Sequence, residues 1–291
     1  MSRIVYVNGR YVPASQAMVA MEDRGYQFAD GIYEAIASIN GALIDIELHL
    51  DRLERSLQQL EIPMPLSRAA LVMKMRELMR RNQRNHGVVY LQITRGVAPR
   101  NHIFSDSMIP VLTMALMPPK FRNDTERDEG VRVITAPDIR WTRCDIKAIA
   151  LLPNMLTRMQ SYRAGAKETW QMRDGVVTEG ALSNAYIVDK DGVLRTHPAT
   201  QAILGGVRRH MTLQLARANG IKVSEEAFTL DDIRDAREAF ITSCSAFITP
   251  VTQVDEQVIG NGAVGTITSQ LVALFDAHVK SQIQAQQRRA A

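Results

Sequence analysis

Pro118-Pro119-Lys120-Phe121-Arg122-Asn123-Asp124-Thr125-Glu126-Arg127-Asp128-Glu129-Gly130 is the stretch on which the fold turns. Two successive prolines halt any regular element, and the run behind them is polar and closes on a glycine. This composition reads as a linker over 120–130. The chain is therefore expected to form an N-terminal α+β domain over 1–119 and a C-terminal domain over 131–291.

On the N-terminal side, hairpins come first and helices follow. Ile4 to Val7, the pair Asn8-Gly9 and Arg10 to Val12 predict one hairpin; Tyr33 to Ile39, Asn40-Gly41 and Ala42 to Asp45 predict a second. Leu50, Leu53, Leu57 and Leu60 share one helical face and stop before Pro63. Ser67 can cap a further helix with Leu71, Met75 and Leu78 on its apolar side. Strands are expected at Val88 to Thr94 and Val111 to Met117.

On the C-terminal side, Val131 to Thr135 reads as a strand, and Asn154 to Ala164 as a helix stopped by Gly165. Hairpins surround Asp174-Gly175 and Asp191-Gly192. A helix runs from Val207 to Asn219 between Gly205-Gly206 and Gly220. Ala239 to Ser243 and Val251 to Val254 read as strands, Thr266 to Val279 as a last helix, and Gln284 to Ala291 as a frayed tail.

Hydrophobic residues make up 46% of the 291, enough to bury a sizeable core, and the charged 23% form no long tract of low hydrophobicity that would favour disorder. The N-terminus lacks an apolar secretory core, and no run approaches the roughly 18 apolar residues of a membrane span. The expectation is a cytoplasmic protein. Cys144 and Cys244 have no paired spacing and the six histidines are dispersed, which predicts neither a disulfide framework, a metal site nor a thiol nucleophile. The net charge of +4 is scattered rather than striped, so no nucleic-acid partner is expected.

Chemistry concentrates in a few places. Lys147 ends Asp138-Ile-Arg-Trp-Thr-Arg-Cys-Asp-Ile-Lys147 and opens onto an apolar run. Most lysines so placed snorkel to the surface, but a desolvated amine is also a usable nucleophile for a Schiff base. Glu179 ends a short apolar stretch; it reads as a strand-end carboxylate or as the partner of a cofactor ring nitrogen. Gly205-Gly206-Val207 opens a helix whose free N–H groups favour a phosphate. Ser243 can add a hydroxyl. Arg52 falls on the polar face of the leucine helix, and spacing alone leaves it to solvent. Arg100 and His102 lie on a glycine- and proline-containing loop, as potential donors to a carboxylate.

Several segments, in this order, resemble D-amino acid aminotransferases, members of the fold-type IV pyridoxal phosphate enzymes. They are Glu22-Asp-Arg-Gly-Tyr-Gln-Phe-Ala-Asp-Gly-Ile-Tyr33-Glu34, Glu47-Leu-His-Leu-Asp-Arg52-Leu53, the Arg95 to His102 loop, and Asp138 to Lys147. Thr178-Glu179-Gly180, Thr196-His-Pro198 and Ile248-Thr-Pro-Val251 complete the set. The resemblance implies a smaller α+β N-terminal domain and a larger β-rich C-terminal domain with the cofactor between them. It makes Lys147 the Schiff-base lysine, Glu179 the partner of the pyridine nitrogen and Arg52 a phosphate ligand, with Gly206, Val207, Arg208, Ser243 and Cys244 around the same phosphate. Tyr33, Arg100 and His102 are implied to bind the substrate carboxylate, the Arg100 loop coming from the other subunit of a homodimer.

The sequence departs from the family pattern at several points. Ala29 replaces a glycine, Ala181 and Leu182 replace serines, and Arg208 and Cys244 each replace a threonine. The implied reaction moves the amino group of a D-amino acid such as D-alanine to 2-oxoglutarate or pyruvate. A branched-chain L-aminotransferase or an aminodeoxychorismate lyase of the same fold type is the alternative, and a non-enzymatic binding protein stands behind both. Arg100 and His102 favour the first reading.

Overall fold

The structure is a computed structural model, and it describes residues 3–119 and 121–290. Lys120, at the head of the expected linker, and Ala291, at the end of the expected tail, lie outside the described residues, as do Met1 and Ser2. The chain divides into two units. The first holds Met1–Lys120, Ile146–Ala150 and Ser281–Ala291; the second holds Phe121–Asp145 and Leu151–Lys280.

The first unit contains β1 (Ile4–Val7), β2 (Arg10–Pro13), α1 (Arg24–Phe28), β3 (Gly31–Ile39), β4 (Ala42–Leu43), α2 (Ile46–Gln59), α3 (Arg68–Arg81), β5 (Gly87–Thr94) and β6 (Val111–Met117). Its strands form a six-stranded sheet in the order β2-β1-β6-β5-β3-β4. Asn8-Gly9 and Asn40-Gly41 both take positive φ at each residue, which two-residue hairpin turns require. Strand alternation then sorts the side chains. Ile32 and Ile36, Val89, Leu91 and Ile93, and Leu112, Met114 and Leu116 face one way. They bury against Leu50, Leu53 and Leu57 of α2 and Leu71, Met75 and Leu78 of α3. Tyr33, Tyr90 and Gln92 fall on the other face.

The second unit contains α4 (Asp124–Asp128), β7 (Val131–Pro137), α5 (Leu152–Arg163), β8 (Glu168–Arg173), β9 (Val176–Gly180), β10 (Asn184–Val188), β11 (Leu194–Arg195) and α6 (Val207–Ala218). After these come β12 (Val223–Ser224), β13 (Phe228–Thr229), α7 (Leu230–Arg234), β14 (Glu238–Ser243), β15 (Phe247–Val254), β16 (Gln257–Val258) and α8 (Thr266–Ala290), whose end belongs to the first unit. Its ten-stranded sheet runs β12-β11-β10-β14-β15-β7-β8-β9-β13, with β16 on β15. Val133, Trp170, Ile187, Phe228 and Ile241 lie in its core.

The structure differs from the sequence expectation at four places. The 120–130 stretch is not structureless: Asn123 Oδ1 accepts the Glu126 N–H at 2.8 Å and Glu126 Oε2 accepts the Asn123 N–H at 3.3 Å, a capping box that starts α4. From Phe121 onward this stretch belongs to the second unit. The second hairpin stops at Leu43, because Asp45 turns left-handed (φ 55°) and α2 starts at Ile46, four residues before Leu50, the first leucine of the expected stripe. The tail expected to fray is helix, held by Gln282 and Gln286, which pair with the main chain of Asp45 and Leu43. The two segments 146–150 and 281–291 thus join the first unit, although they lie beyond 1–119. Among the described residues, no helix is long and apolar enough to cross a membrane.

Candidate active site

In the first unit, Lys147 is placed by its main chain. The segment 146–150 lies along the edge of β3: the Tyr33 N–H donates to the Lys147 carbonyl at 3.0 Å and the Ile149 N–H to the Gly31 carbonyl at 3.1 Å. Gly31 is needed for this approach, since a Cβ there would meet the Ile93 carbonyl oxygen at 2.5 Å and press on Ile149. On its other side, the Lys147 N–H donates to Ser56 Oγ of α2 at 3.3 Å. The backbone is therefore fixed while the side chain, half-buried, extends until Nζ stands 4.2 Å from the centroid of the Tyr33 ring. Tyr33 in turn stacks on Tyr90, centroids 5.6 Å apart. Burial, and then the nearby Tyr33 hydroxyl, push the Tyr90 phenol up to about 12.

Arg52 lies one helical turn before Ser56, on the same face of α2. It is not left to solvent. Its Nε and Nη2 donate to the two oxygens of Glu34 at 2.7 and 2.8 Å, and His49 Nδ1 meets the same carboxylate at 2.8 Å. Glu34 is only 1% exposed. Burial would raise its pKa, yet the charge and hydrogen bonds of Arg52, helped by His49, hold it far below the usual carboxylate range. Arg100 and His102 are both exposed and flank one ring. The Arg100 guanidinium lies 4.5 Å from the Phe28 centroid and the His102 ring 5.5 Å from it.

The second unit gathers the other candidates. Glu179, at the end of β9, accepts from the Leu204 N–H at 3.0 Å, from Asn184 Nδ2 at 2.9 Å and from Arg140 Nη1. Arg140 is shared, because its Nε and Nη2 also grip both oxygens of Asp138 at 2.9 and 2.7 Å. Burial pushes the Glu179 carboxyl up; Arg140 and the Leu204 N–H pull against this without overcoming it.

Asn184 donates to Leu204 O at 2.9 Å as well, and so ties Glu179 to the stretch that opens α6. Gly206 caps that helix without a side chain, and a Cβ there would collide with the Asn184 amide oxygen. No side chain of the cap residue therefore covers the N–H groups of the first turn. Ser243 lies one residue past Thr242, the strand partner of Asn184, and its Oγ accepts the Ala246 N–H at 3.0 Å. Cys244, partly buried, follows in the same turn. Arg208 is 3% exposed, with its guanidinium 5.7 Å from the Phe247 centroid and 5.3 Å from that of Phe275.

Sequence reasoning passed over Glu34, His49, Ser56, Arg140, Asp138 and Asn184. One signal was readable: Glu34 is a carboxylate inside an otherwise apolar strand, alternating with Tyr33 and so facing the helices.

The family pattern described as "Amino-transferase class IV" matches residues 31–254. D-alanine aminotransferase of Bacillus licheniformis is 42% identical over 278 residues, 96% of this chain and 98% of that protein. D-alanine aminotransferase of Listeria innocua is 43% identical over 93% of this chain and 94% of its own. Among solved structures, branched-chain amino acid aminotransferase of Escherichia coli superposes with a TM-score of 0.89 at 23% identity, over 95% of this chain and 94% of that one. That likeness concerns the fold alone, which is α+β and of fold type IV. With a matching pattern across most of its length and near-full-length relatives above 40% identity, the chain belongs to the class IV aminotransferase family.

Proposed function

We propose that this chain is a pyridoxal-phosphate-dependent transaminase that passes the amino group of a D-amino acid, such as D-alanine, to 2-oxoglutarate or pyruvate. We place it in the cytoplasm as a homodimer. The observation that carries the cofactor assignment is the Glu179 carboxylate. A carboxylate offers about four lone-pair positions, and Leu204, Asn184 and Arg140 take three. One remains for a ring N–H, and a buried carboxyl that is short of positive charge favours a cationic partner there.

In this reading Lys147 holds the cofactor through Nζ, and Glu179 keeps the ring nitrogen protonated. Arg52, the N–H groups of Gly206, Val207 and Arg208 at the start of α6, and Ser243 with Cys244 meet the phosphate. Bound there, pyridoxal phosphate supplies an electron sink for the pair left behind when the substrate Cα loses its proton. Lys147 Nζ takes that proton and returns it. Its pinned main chain leaves only the side chain to move between the two tasks. Tyr33, with Arg100 and His102 from the partner subunit, hold the substrate carboxylate; the Arg100 fork suits it through two parallel N–H donors. With the Cα–H directed at Lys147, the side on which the carboxylate is held selects the hand. The D-alanine aminotransferase relatives support the D choice.

The test is a panel of D- and L-amino acids with 2-oxoglutarate or pyruvate, following the new 2-oxo acid. Turnover of D-alanine with little of L-leucine is expected. Robust L-leucine turnover with none of D-alanine would overturn the assigned hand. Lys147→Ala should retain pyridoxal phosphate without covalent attachment and without turnover.

A further inference from the structure

Arg208 occupies an unusual position. It is the second residue of α6 and almost wholly buried. Its guanidinium lies within cation–π reach of both Phe247 and Phe275. Phe247 is itself unusual: it begins β15 with φ +51°, a left-handed backbone that a bulky residue adopts only when its surroundings impose it. Those surroundings are aromatic and cationic. Phe121 lies 5.1 Å and Phe275 6.1 Å from the Phe247 ring, and Arg208 closes the cluster.

Phe247 ends the turn that carries Ser243 and Cys244. The Ala246 carbonyl of that turn accepts Thr249 Oγ1 at 2.7 Å, and its Ser245 carbonyl accepts the Arg122 N–H at 3.0 Å. α6 packs against β14, the strand that leads into the turn. Arg208 thus joins the helix opening at Gly205-Gly206 to the hydroxyl-bearing turn through one aromatic ring.

We propose that the Arg208 side chain is a positioning residue for the phosphate cup: by clamping Phe247 it locks the Ser243–Ala246 turn in register with the start of α6. This rests on the cofactor reading above. A planar, permanently charged guanidinium suits the task, because it stacks on ring faces and cannot shed its charge when buried.

The test compares the loss of pyridoxal phosphate from the loaded full-length protein with the binding of pyridoxal, which lacks the phosphate. The variants are Arg208→Met, Phe247→Leu, the double variant and Arg208→Lys. Arg208→Met should weaken pyridoxal phosphate retention about tenfold, the scale of one desolvated cation–π pair, while pyridoxal binding stays within about twofold. Phe247→Leu should do the same, the double variant should be no worse than the worse single, and Arg208→Lys should recover part of the loss. Should Arg208→Met fail to fold in a urea titration, Phe247→Leu and Arg208→Lys decide alone.

Additive single losses, or a loss in Arg208→Met without one in Phe247→Leu, would make the side chain a direct ligand and overturn the proposal. An equal loss of pyridoxal would also overturn it, by showing general damage. A wild-type protein that retains no pyridoxal phosphate would overturn the cofactor reading and this inference together; normal retention by Arg208→Met would overturn the inference alone.

Discussion

Glu34 in the first unit and Glu179 in the second are both buried and both bound to an arginine, yet their carboxyl groups shift in opposite directions. The difference lies in how the positive charge is divided. Glu34 receives a two-point grip from Arg52 and a further partner in His49. Glu179 receives one end of Arg140, whose other donors serve Asp138, and Asp138 raises the Glu179 carboxyl further by repulsion. The first carboxylate is compensated within its unit and serves to hold Arg52 in place. The second is left short of positive charge, which suits it to receive a cationic ring.

The largest effect expected from this contrast is on turnover. Glu179→Gln should slow D-alanine turnover by on the order of a hundredfold, the scale of losing one preorganised electrostatic partner, with little change in cofactor retention. Near-normal turnover would remove the distinction between the two carboxylates. Glu34→Gln should act on stability instead. Stranding Arg52 and His49 should cost about 3 kcal/mol in urea unfolding.

Unfolding of the cofactor-free protein against pH sharpens the comparison, because the two signs differ. Glu34 has a folded pKa below its ordinary 4.5, so its stabilisation is full above that value and is lost as pH falls below it. Glu179 has a raised folded pKa. Its stabilisation is full below 4.5 and is lost as pH rises through the folded value. The stability difference between wild type and each Gln variant should therefore slope in opposite directions; parallel slopes would defeat the argument.

Asp138→Asn should give Glu179 a larger share of Arg140, lower its pKa and carry the acid limb of kcat/KM to lower pH. An unmoved limb would show that sharing is not the cause. The smallest effect belongs to Tyr90, a half-buried phenol on the sheet face opposite the apolar one. One tyrosinate should appear near pH 12 in a rapid-mixing absorbance titration and be missing from Tyr90→Phe.

What could be read in the sequence was local. The turn pairs Asn8-Gly9, Asn40-Gly41 and Asp174-Gly175 announce themselves by their need for positive φ, and β6 matches its expected bounds because its alternation is complete within seven residues. The Ser67 cap is also confirmed, with its side chain accepting the Ala70 N–H. The elements that escaped depend on distant partners. The end of α8 pairs with residues more than 230 positions earlier, which no periodicity in the tail discloses. The candidate site divides the same way. Lys147 and Glu179 were singled out by type and neighbourhood, whereas Arg140, inside the same stretch as Lys147, could not be, because its partner Glu179 lies 39 residues on. Arg52 was misjudged from spacing alone because Glu34, 18 residues before it, faces it from a strand.

The grip of Gln282 and Gln286 on Asp45 and Leu43 also imposes an order of events during synthesis. The corner where β4 gives way to α2 is made before its partners, which come 237 and 243 residues later. At elongation rates of roughly 5–20 residues per second, the corner waits tens of seconds for its last hydrogen bonds. Through that interval the Leu43 N–H and carbonyl, together with the Asp45 N–H, must be satisfied by water. The first unit is completed only after the second has been translated.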